Sequence, residues 1–103
     1  MLQTQDPMPV TSRKAAAEVR VAVAVASLRE AQRLIEEAAQ ALSAVDGLAR
    51  EWRRLDALHE QVTRSFYDVR GRADTLALKG RLVLDHEPDS DEAQWASLWR
   101  GRL

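Results

Sequence analysis

The chain has 103 residues and no cysteine, and its 15 basic and 16 acidic side chains leave a formal net charge of −1. That is the size of one domain, without disulfides or thiolate metal sites, and with no charge excess to suit a general polyanion binder. The apolar fraction is 46%, but alanine supplies much of it, and the aromatic residues are three Trp, one Tyr and one Phe. A thin core, or one shared with another chain, is therefore expected.

Residues 1–10, "MLQTQDPMPV", hold Pro7 and Pro9 and no clear period, and read as a flexible arm. They lack the basic and apolar regions of a secretory signal, so a cytoplasmic location is the default expectation. No apolar run approaches the roughly 20 residues of a membrane span, and no membrane association is expected.

Thr11 or Ser12 can cap a first helix, predicted over about 12–46 with no Gly or Pro inside it. Within it, "VRVAVAVAS" at 19–27 alternates like a strand. Its one comparable partner would be "TLALKGRLVL" at 75–84, turning at Lys79-Gly80. Helix is the prediction nonetheless, because the flanks are alanine-rich and valine costs only a few tenths of a kcal/mol per helical site. Val21, Val25, Leu28, Gln32, Ile35, Ala39 and Leu42 then form a heptad seam. Val19 and Val23 lie off it.

Asp46-Gly47 breaks the helix, with Gly47 suited to a left-handed C-terminal position. A second helix is predicted over about 48–84. Its seam is the clearest pattern in the chain: Leu48, Trp52, Leu55, His59, Val62, Phe66, Val69, Ala73, Leu76, Gly80 and Val83 keep a 4-3 spacing throughout. Glu60, Arg64, Asp68 and Arg72 alternate in sign on the outer face, as a solvated helix does. Two helices of about 35 residues, each ~50 Å long, joined by a tight turn predict an all-α, coiled-coil-like antiparallel hairpin over 11–84. At its open end Val19 and Val23 meet Leu78, Leu82 and Leu84, more apolar surface than one seam can bury. Residues 85–90 are an acidic linker. Asp89 or Ser90 can cap a short amphipathic third helix over 91–103, Asp89 having capping-box spacing to Glu92.

The chemistry-bearing residues point away from catalysis. "HEQVT" at 59–63 has Thr63 where a zinc-protease helix needs a second His, so His59 reads as a seam residue setting register. His86 lies among five acids, but Ser90 and Ala96 stand where a calcium loop needs Gly and Glu. No serine has a nucleophile setting, and no glycine-rich phosphate loop is present. No enzyme activity, cofactor or metal is expected. Arg50, Arg53 and Arg54 cluster around Trp52 and are candidate nucleic-acid contacts, although a helix start disfavours positive charge.

The expected function is that of a non-enzymatic adaptor or assembly protein, a subunit, co-chaperone or inhibitor, that packs helices on itself or on a larger protein. The expected contact set is Val19, Val23, Leu78, Leu82, Trp95, Leu98 and Trp99, because buried tryptophan anchors many interfaces. The alternative is a small phage- or plasmid-type regulator, a dimeric four-helix bundle touching RNA or DNA through the helix 2 arginines.

Overall fold

The computed structural model describes residues 9–87 and 90–102. It is all-helical among those residues: α1 spans Pro9–Ser43, α2 Ala49–Leu78 and α3 Ser90–Arg100. The two long helices pack antiparallel and the third is short, as expected. The valine-rich stretch at 19–27 lies wholly within α1. The arm up to residue 8 and the capping side chains of Thr11, Ser12, Asp89 and Ser90 lie outside the described residues.

Several boundaries differ from the expected ones, and three of them have a clear local reason. α1 begins at Pro9 instead of residue 12; a proline suits the first helical turn, where its missing N–H would be unpaired anyway. It ends at Ser43, whose hydroxyl donates to the Gln40 carbonyl at 2.7 Å. The turn then closes through Val45 N–H to Leu42 O at 3.0 Å, with Gly47 at φ +89°. Leu48 opens α2 by accepting the Trp52 N–H at 3.1 Å.

The third difference is larger. α2 stops at Leu78, not at 84. Gly80 takes φ +68°, the Gly80 N–H donates to Ala77 O at 3.0 Å, and the Arg81 N–H donates to Leu76 O at 2.8 Å. Those two bonds are the paired 5→2 and 6→1 bonds of a Schellman cap, which satisfies carbonyls the helix would otherwise leave open. Gly80 and Val83 therefore do not continue the α2 seam, and residues 81–84 are non-helical.

The residues group into two compact units, each drawing on α1 and α2. Residues 24–72 form one, the hairpin with the turn at its head. In it, Gln32 Nε2 donates to Thr63 Oγ1 at 2.8 Å, and Arg29 lies over the Phe66 ring at 5.3 Å, which fixes the register of the two helices. Thr63 Oγ1 in turn donates to the His59 carbonyl at 2.8 Å. Phe66 is the most enclosed side chain, at 3% exposure, with Ala39 the other buried one in this unit.

The other unit gathers the two ends of the chain, up to Val23 and from Ala73 on. Here residues 81–84 return along the first turns of α1. The Leu84 N–H donates to Arg13 O at 3.1 Å, and the Arg13 guanidinium donates twice to Leu84 O, at 2.9 and 2.6 Å. Ala16, Ala17 and Leu84 form the core, with Leu82 packed against it.

Candidate interaction surfaces

The contact residues expected from the sequence part into two groups. The structure folds Val19 and Leu82 into the chain's own core: Val19 is 6% exposed and Leu82 packs on Ala16, Ala17 and Leu84. Val23 is half-buried. In the isolated chain these three are thus enclosed to different degrees, and Leu82 reaches its place because α2 ends early. A helix running to 84 would have kept Leu82 and Leu84 on a helix face, whereas the non-helical 81–84 segment sets them against Ala16 and Ala17.

α3 supplies the rest of the cover. The Arg20 guanidinium forks onto the Glu92 carboxylate, its Nε to Oε2 at 3.1 Å and its Nη2 to Oε1, while its charge lies 5.6 Å from the centre of the Trp95 ring. Glu92 raises the arginine's basicity through the hydrogen bond and its negative charge. Ala96 is buried, and Trp95 and Trp99 are half-buried with ring centres 6.2 Å apart. The tryptophans thus belong in good part to this unit's own packing. The outward side of α3 keeps Leu98 at 58% exposure beside Trp95, Gln94 and Asp91 in an open groove. Leu78 is 90% exposed on the last turn of α2.

In the 24–72 unit, large apolar side chains that the sequence reading passed over are exposed: Leu34 at 51%, Val45 at 48%, Leu58 at 43% and Tyr67 at 64%. The signal was present. Leu34 and Val45 stand at 3-4 spacing from alanines one step off the α1 seam, a second stripe masked by the first. One flank carries an open groove at Trp52 and His59 that brings Glu36 of α1 together with Asp56 of α2. Its charges are partly self-satisfied: Arg33 bridges Glu30 and Glu37, which draws the Glu30 carboxyl below its ordinary range. His59, read as setting register, and Gln32 of the α1 seam sit half-buried between the helices.

Arg50, Arg53 and Arg54 are exposed at the start of α2, and Arg53 lies over the ring of its neighbour Trp52 at 5.9 Å. His86 Nδ1 meets Asp85 Oδ1 at 2.6 Å, and this bond holds the Asp85 carboxyl below its usual value. Among the described residues no group of three or more His, Asp or Glu side chains converges to hold a metal ion, and no helix is long and apolar enough to cross a membrane. Compared with family models, curated proteins and solved structures, the chain matches none.

Proposed function

We propose that the protein is a non-enzymatic helical assembly protein that works by packing its helix faces on another protein surface, whether its own copy or a larger partner. The observation that carries this is the mismatch between core and surface. Among the described residues eight apolar side chains are buried, and five of them are alanine. Meanwhile Leu34, Val45, Leu58, Leu78 and Leu98 stand between 43% and 90% exposed. Burying a leucine or valine contributes about 1.5–3 kcal/mol, whereas alanine offers only one methyl against an ordering cost of about 1–2 kcal/mol per residue. Apolar burial is short in the isolated chain, and a second protein surface would supply it.

The test is urea unfolding of the isolated chain over roughly a hundredfold range of concentration. Stability at the dilute limit should fall below about 5 kcal/mol, as in other small single-core helical chains, and rise with concentration or added partner. A concentration-independent stability near ~10 kcal/mol, that of an ordinary self-sufficient domain, would refute the proposal. The competing reading, nucleic-acid contact through Arg50, Arg53 and Arg54, is separated by salt. Phosphate contacts weaken steeply as salt rises, and helix packing does not.

A further inference from the structure

We propose that a second copy of this chain packs on one flank of the 24–72 hairpin, related by a two-fold axis crossing both helices at the level of Leu34 and Gln61. The proposal rests on the assembly reading above and commits it to one occupant and one face.

The face is defined by two parallel stripes. On α1 and the turn that follows it, residues 24, 27, 31, 34, 38, 41 and 45 keep a 3-4 spacing and include no charge: apart from Ser27 they are alanine, Leu34 and Val45. On α2, residues 51, 54, 58, 61, 65, 68 and 72 keep the same spacing. Positions 24, 31 and 38 each precede an α1 seam residue, and 51, 58, 65 and 72 each precede an α2 seam residue. Glu36 and Asp56, which follow seam residues, share the groove at Trp52 and His59. The positions that precede the seam therefore share the opposite flank. All of them are exposed except Ala31, which is half-buried.

The charges on the α2 stripe choose the occupant. Glu51 and Arg54 lie toward the turn, Asp68 and Arg72 lie away from it, and both opposite-charge pairs, Glu51 with Arg72 and Arg54 with Asp68, centre on Gln61 to within half a residue. An antiparallel copy of α2 turned about Gln61 sets Glu51 against Arg72 of the partner subunit and Arg54 against Asp68 of the partner subunit. Each pair then occurs twice. Within one chain the first pair cannot form: 21 residues of helix separate Glu51 from Arg72, about 32 Å at 1.5 Å per residue. Among the described residues none of these four side chains makes an ion pair inside the chain.

The same axis suits α1. The Gln32–Thr63 hydrogen bond sets residues 32 and 63 level, so Leu34 stands level with Gln61. Turning about that level lays the uncharged α1 stripe on its own copy, leucine near leucine at the axis and alanine along both arms. Small side chains allow helix axes to approach toward the ~8 Å end of the usual range. Packing α1 on the partner's α2 instead would lay alanines on four charges and leave them unpaired, which costs desolvation with no compensating contact.

The test uses charge reversal at exposed sites, where folding is little affected. Sedimentation should show the wild-type chain as a dimer. Glu51→Arg alone, and Arg72→Glu alone, should each weaken dimerisation about 10- to 100-fold, because each places two like-charge contacts across the axis. An equimolar mixture of the two variants should restore a heterodimer, since every contact again pairs opposite charges. Leu34→Glu should dissociate the dimer with helix content retained. A wild-type dimer indifferent to these changes, or a mixture that stays monomeric, overturns this face and leaves the assembly reading standing. A weakly stable wild-type monomer overturns the second copy as occupant, and a strongly stable one overturns both readings.

Discussion

Replacing Gly71 and Gly80 by alanine, one at a time, puts the same methyl inside α2 and just past its end, with opposite expected signs. Gly71 lies inside α2, and a Cβ built on it meets nothing within 4 Å. Alanine there removes unfolded-state freedom and should stabilise by about 0.5–1 kcal/mol. Gly80 also has open space for a Cβ, but its φ is +68°. The cost of Gly80→Ala is thus purely conformational, about 1–2 kcal/mol for an L-residue in the left-handed region, partly offset by the same unfolded-state gain. A net loss of about 1 kcal/mol is expected. In a chain of this size 1 kcal/mol moves Tm by about 4–8 °C, so the two variants should melt roughly 6–15 °C apart. Thermal and urea unfolding followed by far-ultraviolet circular dichroism measure it. If Gly80→Ala stabilises as Gly71→Ala does, α2 runs through Gly80 as its heptad spacing implies, and the Schellman cap and the returning 81–84 segment are wrong.

Other substitutions probe the unit formed by the chain ends. Arg13→Ala removes both guanidinium bonds to Leu84 O and should destabilise by about 1–2 kcal/mol by urea unfolding, charge-assisted bonds being partly screened at a half-buried site. Arg13→Lys should recover only part of that, since an ammonium cannot supply the fork. Trp95→Ala should speed amide hydrogen exchange in α3 while exchange in residues 24–72 stays unchanged, because Trp95 packs in the other unit; acceleration in both would refute this division. Asp85, its carboxyl held low by the bond to His86, should titrate below the usual carboxylate range by NMR, and His86→Ala should return it to that range. The sign follows: whatever this contact contributes is present above the ordinary carboxylate pKa and is lost as the pH falls through the lowered one.

The seams were legible because a heptad repeat is a local property, readable at every turn. From Val21 to Leu42 and from Leu48 to Leu76 the seam residues are buried or half-buried. The helical outcome at 19–27 followed from the alanine context, which outweighs a period of two when no sheet is on offer. The end of α2 is not legible in the sequence because Gly80 also fits the seam spacing, so periodicity and a helix-stopping glycine compete at one residue. Gly47 carried the same information and was read correctly, since no seam position competed for it. That one boundary moved Leu82 and Leu84 from a helix face into the core over Ala16 and Ala17. The Arg20–Glu92 fork was beyond reach, as it joins residues 72 apart whose meeting depends on the whole return path.

The clasp between Arg13 and Leu84 also sets an order of events. Contacts of the 24–72 hairpin close across a short turn and need little chain to be gathered first. The clasp joins residues 71 apart, and its loop closes at a greater entropic cost that local contacts cannot offset in advance. Folding should therefore begin beside Gly47 and travel outward along both helices, with the clasp and α3 settling last. In reverse, the same contacts open first, at a free energy below that of global unfolding. During such openings Ala16, Ala17 and Leu84 meet solvent while the hairpin stays intact, so this apolar surface is exposed without any global unfolding.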